Sequence, residues 1–298
     1  MWLNRFSRFL AFATYLLIIA GGLVTSTGSG LSVPDWPLSY GSFFPPMVGG
    51  IRFEHSHRLI AGSVGLLTFV LMVALLRAEK RPWLKRLGML TFGAVILQAL
   101  LGGITVIYLL PTFVSVFHAC LGQTFFCLIV SIALFTSPLW TKTEPADSPG
   151  SAWIHWILVT TTVLVYLQLI LGAVVRHTAG SGVVYHALMA LLVLAAVFFS
   201  TYSVMTLPAA GKLERPAIFF GFLAVVQLFL GGGAWMTRIM MGENARQGVS
   251  AVLFATAHQA TGALILATSV YLTLLSFRFL SEPQSGTAAA ADGQAGRP

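Results

Sequence analysis

The chain has 298 residues, 57% of them hydrophobic and only 9% charged, with a mean hydropathy of +0.85 and a formal net charge of +8. A soluble domain carries roughly a quarter charged residues, so the composition excludes a soluble globular protein and predicts an all-α polytopic membrane protein set in a lipid bilayer. The positive balance does not point to nucleic acid. No basic cluster is interleaved with aromatics on a polar domain, and the cations sit in loops, where they act as topology signals.

A span needs about 20 mostly apolar residues. Eight such runs follow in chain order: 9–25, 58–77, 87–108, 113–136, 154–175, 184–205, 217–236 and 250–277. The first follows a few polar residues and lacks a clear small-residue cleavage site, so it reads as a retained span rather than a signal peptide. Cys120 and Cys127 are seven residues apart on one predicted helix. That is about 10 Å along the axis, too far to bridge, and they read as small core residues. The stretch 281–298, "SEPQSGTAAAADGQAGRP", is small and polar, and is expected to be a disordered cytoplasmic tail.

Basic residues set the expected orientation. Twelve of them share one side: Arg5, Arg8, Arg77, Lys80, Arg81, Lys85, Arg86, Lys142, Lys212, Arg215, Arg278 and Arg297. Five fall on the other: Arg52, Arg58, Arg176, Arg238 and Arg246. The richer side is assigned to the cytoplasm, with both termini there and the loop 26–53 outside.

The chain also repeats itself. "LIIAGGLVTSTGSG" (17–30) aligns with "LILGAVVRHTAGSG" (169–182), "ILQALLGG" (96–103) with "VVQLFLGG" (225–232), and "FHACLG" (117–122) with "AHQATG" (257–262). Span 2 then matches span 6 by elimination, setting His57 against His186. The offset is 186 − 57 = 129, as it is for Gln98 and Gln227. The expected architecture is two pseudo-symmetric four-helix bundles, 9–136 and 154–277, related by an axis along the membrane normal. They differ in the first outer loop. The distance from the GSG motif to the next histidine is 27 residues in the first half (30 to 57) and 4 in the second (182 to 186).

Four of the seven histidines fall in matched places: His57 and His118 in one half, His186 and His258 in the other, all toward the outer ends of their helices, with His258 somewhat deeper. Paired imidazoles on facing helices can serve as axial ligands to one heme iron. Gly122 and Gly262, each four residues after a histidine, leave bare backbone one turn away where a porphyrin plane could approach. Two alternatives compete with heme. One is plain interhelical hydrogen bonding, disfavoured by four costly intramembrane groups in duplicated register. The other is zinc, which asks for three converging ligands. His55, His155 and His177 read as interfacial.

"FEHSHRLIAG" (53–62) adds Glu54, three residues before His57 and on its helical face if the helix extends outward. No span carries an acid in its middle, which argues against a proton-coupled transporter. Glu54 is the one carboxylate close to a candidate heme ligand. Its counterpart in the second half is Val183. The bland alternative for Glu54 is a surface ion pair with Arg52 or Arg58. Arg58, Arg176 and Arg238 lie near the histidine level and are candidate partners for heme propionates.

"TGSGLSVPDWPLSYG" (27–41), "EHSHR" (54–58), "FHACLGQ" (117–123), "GSGVVYHALMAL" (180–191) and "AHQATGA" (257–263) together resemble the heme A synthase family, over about residues 10 to 278. The resemblance implies a membrane oxidoreductase that converts a pyrrole methyl of heme O to a formyl group, giving heme A for terminal oxidases. It implies a resident heme b on His186 and His258, a heme O site on His57 and His118, and a catalytic role for Glu54 together with that first pair. Heme O synthase, an unidentified electron-transfer protein and a second copy of the chain are the implied partners. The implied setting is the bacterial cytoplasmic membrane, with the heme sites on its extracytoplasmic side. Many bacterial members carry two cysteines around DWPL. Ser32 and Ser39 stand there in this chain, so that loop disulfide cannot form, though Trp36 and Pro37 could still cap the site. The rivals are a diheme cytochrome b that only relays electrons, and a heme carrier.

Overall fold

The computed structural model describes residues 1–144, 146–147, 151–207, 210–241 and 248–281. The expected tail beyond Ser281, and Arg246, lie outside the described residues.

Eight long helices are apolar enough to cross a membrane. They are α1 (Trp2–Ser26), α2 (Ile51–Ala78), α3 (Pro82–Ile107), α4 (Thr112–Phe135), α6 (Ser151–His177), α7 (Val183–Met205), α8 (Glu214–Trp235) and α9 (Val249–Phe279). A short α5 (Pro138–Lys142) follows α4, and a π-helical turn, Met236–Met240, continues α8. The helices overrun the predicted spans. α9 has 31 residues, about 46 Å at 1.5 Å per residue, against a hydrocarbon core of about 30 Å. Hydropathy marks only the lipid-embedded part, whereas the backbone keeps its helical bonds through the interface. α2 accordingly begins at Ile51, seven residues before the apolar run, and takes Glu54, His55, His57 and Arg58 into its first two turns.

Local chemistry sets the ends. Pro82 opens α3 where its missing N–H costs nothing. Ser137 accepts from Trp140 N–H and caps α5. Gly182, at φ 80°, makes the left-handed turn before α7. Within the spans, hydroxyls return to the carbonyl one turn back, as Thr14 does to Leu10 (2.8 Å) and Thr68 to Val64 (2.7 Å). Such bonds keep these hydroxyls paired inside the spans.

α1 packs on α2, α2 on α3, α3 on α4 and α4 on α1; α6, α7, α8 and α9 repeat this pattern, and α1 and α4 meet α9 while α4 meets α6. One apolar core, including Leu10, Leu71, Phe125 and Ile132, lies among the first four helices. A second, including Leu158, Val197, Phe220 and Leu272 of the last four helices, also takes in Ile18 of α1 and Phe126 and Leu134 of α4. Strand pairing among the described residues is confined to a two-residue parallel pairing, Ala146–Leu280 and Asp147–Ser281, and an antiparallel bridge between Ser39 and Ser42 in the outer loop.

The hydrogen bonds at the ends of α1 and α6 correct one alignment. Thr27 returns its hydroxyl to Leu23 O and Thr178 to Val174 O; Ser29 N–H reaches Val24 O and Gly180 N–H reaches Val175 O. These pair the two segments at an offset of 151 (178 − 27), one less than the matched GSG letters suggest. Gly28 then corresponds to Ala179, and both have positive φ, 67° and 54°.

Candidate functional site

His57, His118, His186 and His258 all stand in the N-terminal parts of their helices, α2, α4, α7 and α9, hence at one end of the molecule. Each imidazole packs on a glycine of the preceding helix. A β-carbon added at Gly21 would lie 3.0 Å from His57 Cε1, at Gly102 3.3 Å from His118, at Gly172 3.0 Å from His186 and at Gly231 2.9 Å from His258. These helix pairs close only because the facing residue has no side chain.

Three of the four share a further partner. Gln98, Gln168 and Gln227 each stand four residues before the glycine, on the same helix face. Gln98 Nε2 donates to the backbone carbonyl of His118 and Gln168 Nε2 to that of His186, both at 2.9 Å. The amide nitrogens of all three glutamines lie 3.4–3.5 Å from the ring Nε2 of their histidines. Gly122 and Gly262, read from sequence as room for a porphyrin, instead admit these amides: β-carbons there would lie 2.9 and 3.3 Å from Gln98 and Gln227 Nε2. The glutamines escaped notice as site residues. The repeated Gln-x-x-x-Gly spacing was the available signal.

The arrangement fits a heme. The His186 and His258 ring centres are 6.2 Å apart with their planes at 83°. Imidazoles on opposite faces of one metal, each bonded at about 2 Å, have ring centres about 6 Å apart. His258 Nδ1 faces Gln227 O at 3.2 Å. As a donor there it leaves the Nε2 lone pair for a metal. The Nδ1 atoms of His57, His118 and His186, and Oε1 of all three glutamines, are buried without a hydrogen bond. Buried polar atoms rarely stay so, and a bound group with polar edges would answer them.

Around His57 the two halves part company. Glu54 is buried and each carboxylate oxygen is bonded: Oε2 accepts from Val33 N–H (2.9 Å) and Oε1 from Arg58 (2.5 Å). Arg58 also donates to the carbonyls of Asp35 and Leu38 (2.6 Å each) and Val33 (3.2 Å). The ion pair with Arg58 weighed from sequence is therefore present, but as a buried clasp that binds the outer loop to α2. His55, read as interfacial, is instead buried, with Nδ1 2.8 Å from Ser39 Oγ. Asp35 folds the loop on itself by accepting from Tyr40 N–H (2.7 Å) and Gly41 N–H (2.8 Å). The Gly41 amide, with help from Tyr40 and Arg58, holds the Asp35 carboxyl below its ordinary value. The loop lays the Trp36 indole on α3. A β-carbon at Gly103 would lie 2.8 Å from Trp36 Cδ2, whereas its counterpart Gly232 faces open space.

The other two candidate arginines meet at the C-terminal end of α1. Arg176 donates to Gly22 O and Ser26 Oγ (2.8 Å each), and Arg238 to Ser26 O (2.6 Å). They serve the carbonyls that a helix end leaves unsatisfied and tie the two sets of four helices together. His155, at the opposite end, stacks on Phe277 and reaches Ser276 O at 3.1 Å. Cys120 and Cys127 are buried free thiols. Among the described residues no three His, Cys, Asp or Glu side chains converge as a metal cluster.

A family model described as cytochrome oxidase assembly protein (COX15-CtaA) matches residues 4–49 and 51–185. That is more than half of the chain, and it ends one residue before His186. Curated relatives named heme A synthase include that of Bacillus licheniformis, 32% identical over 177 residues and 57% of each chain. That of Bacillus pumilus is 33% identical over 190 residues, 60% of each chain. That of Geobacillus thermodenitrificans is 26% identical over 253 residues, 76% of this chain and 78% of its own. The chain spans about three fifths of the length of the first of these.

Proposed function

We propose that this chain, which belongs to the COX15-CtaA family of cytochrome oxidase assembly proteins, makes heme A by oxidising the pyrrole methyl of heme O to a formyl group. The observation that carries the reading is the asymmetry between two otherwise matched histidine pairs. One pair stands alone. The other has a buried carboxylate three residues away and a folded loop clasped over it. A duplicated electron relay has no use for that difference, whereas an enzyme with one resident heme and one substrate heme does.

In this reading the protein is two pseudo-symmetric bundles in the bacterial cytoplasmic membrane. The termini are cytoplasmic and both histidine pairs face outward. His186 and His258 would hold heme b, which supplies one-electron redox chemistry when bound. His57 and His118 take heme O as substrate. With water as the oxygen donor, going from methyl to formyl releases four protons and four electrons, and the electrons leave through an acceptor protein. Glu54 sets a negative charge one helical turn from His57, fit to stabilise positive charge developing at the reacting carbon. Each oxygen keeps a lone pair beside its one bond, on which Glu54 would carry a proton. Arg58 belongs to the loop clasp. Arg176 and Arg238 bring the positive charge that propionates need to the same end. Heme O synthase is the natural donor of substrate, and a second copy of the chain is a further candidate partner.

The test is co-expression with a heme O synthase and identification of the extracted hemes by chromatography with mass detection. Heme B with heme O and its hydroxylated or formylated products supports the reading. Heme B alone, with heme O supplied and never modified, sinks it in favour of a diheme cytochrome.

A further inference from the structure

We infer that His57 is the exchangeable ligand of the substrate site, and that Gln98, Gln168 and Gln227 are positioning residues that fix the other three imidazoles. This rests on the reading of the two histidine pairs as heme sites.

Helices α3, α6 and α8 each present a glutamine four residues before the glycine that receives the histidine. The place on α1, four residues before Gly21, holds Leu17. Each glutamine keeps an amide nitrogen near the ring, 3.4–3.5 Å from Nε2, too long to take that lone pair from a metal. Two of them also bridge to the histidine's own backbone carbonyl at 2.9 Å. A leucine can do neither. It packs instead against the apolar core of the first four helices. Nδ1 of His57 is buried without a hydrogen-bond partner, as Nδ1 of His118 and of His186 is, and the Leu17 backbone faces the ring. Its imidazole has its glycine, its helix and the Leu17 backbone, but no glutamine amide.

This division matches what the two sites must do. A resident cofactor is kept by two ligands, and both His186 and His258 have their glutamine. A substrate must enter and leave, so one ligand has to let go. His118, with Gln98 beside it, is the fixed side, and His57 is the side that releases. Losing or gaining one amide contact changes an equilibrium by about tenfold, enough to separate a ligand that exchanges from one that stays.

Carbon monoxide probes the difference, because it binds ferrous heme only where an axial ligand yields. Protein purified from cells that also make heme O synthase is first extracted to count hemes, then reduced and titrated with carbon monoxide by absorption. In the wild type the heme O population should bind the gas and the heme B population should not. Leu17→Gln should raise the concentration for half-saturation about tenfold with heme B content unchanged. Gln168→Leu should make the heme B population reactive. Gln98→Leu should ease binding at the first site, and it answers the question even if Leu17→Gln does not fold. Carbon monoxide binding that is the same in wild type, Gln98→Leu and Gln168→Leu overturns the inference. A wild type that takes up no heme O overturns instead the reading on which it rests, and the initial heme count reveals this before any gas is added.

Discussion

Arg58 lies one helical turn beyond Glu54 on α2, binds its Oε1 at 2.5 Å, and reaches three loop carbonyls, those of Val33, Asp35 and Leu38. One carboxylate thus joins two tasks: charge beside His57, and anchorage of the loop. Glu54→Gln keeps the shape but gives up the charge. Charge-assisted hydrogen bonds contribute about 1.5–3 kcal/mol each, so the clasp should loosen while the second histidine pair is untouched. The expected variant keeps its heme B, yields little or no formylated heme, and is cut faster by protease within 32–42. Wild-type formyl yield would remove the carboxylate from the mechanism.

The glycines facing the histidines give a second prediction. At Gly231 an added β-carbon would stand 2.9 Å from His258 Cε1, while at Gly232 it would meet nothing. Gly231→Ala should therefore push the imidazole off its position and lower heme B content several-fold, toward the loss expected for His258→Ala or His186→Ala. Gly232→Ala should change nothing. Heme extraction from matched amounts of folded protein decides it, and equal heme content in all of these variants would mean that His186 and His258 are not the ligands.

The eight spans, and the matched places of four histidines along the chain, were legible in the sequence because hydropathy and duplication survive without any knowledge of packing. The helix ends were not. Polar residues such as Glu54 and His55 look like loop, yet the backbone bonds that begin at Ile51 carry them into α2. The arginines show another limit. From sequence, a guanidinium near a candidate heme reads as a propionate partner, but Arg176 and Arg238 also bond to carbonyls at the end of α1, which becomes visible only once α1, α6 and the turn continuing α8 are brought together. The alignment of 17–30 with 169–182 erred by one residue for a similar reason. Matching GSG letters outweighed the turn geometry that pairs Gly28 with Ala179.

Trp36 on Gly103 supplies a third prediction. The indole fills a place on α3 beside Gly102, which receives His118, and the equivalent place on α8 is open. Gly103→Ala should lift the indole off α3 without altering any polar group of the loop. Where the loop walls the first site, the outcome is a raised KM for heme O, more hydroxylated intermediate released, and unchanged heme B. Trp36→Phe, which retains an aromatic face, should recover most of the loss. Unchanged kinetics in Gly103→Ala would show that the indole does not border the substrate.

The loop should also respond to acid in a defined direction. Hydrogen bonds from Gly41 and Tyr40 to Asp35 lower its folded value below that of the free side chain, near 3.9. A group depressed on folding contributes its stabilisation above the unfolded value and loses it as pH falls through the folded one. The order that Asp35 imposes on residues 35–41 should then be complete at neutral pH and fade below about pH 4. Asp35→Asn keeps one acceptor and removes the titration, so it should leave the loop looser at neutral pH and flatten the acid response. Hydrogen exchange of the Tyr40 and Gly41 amides measures it directly, and an acid response identical in both proteins would assign the effect to another group.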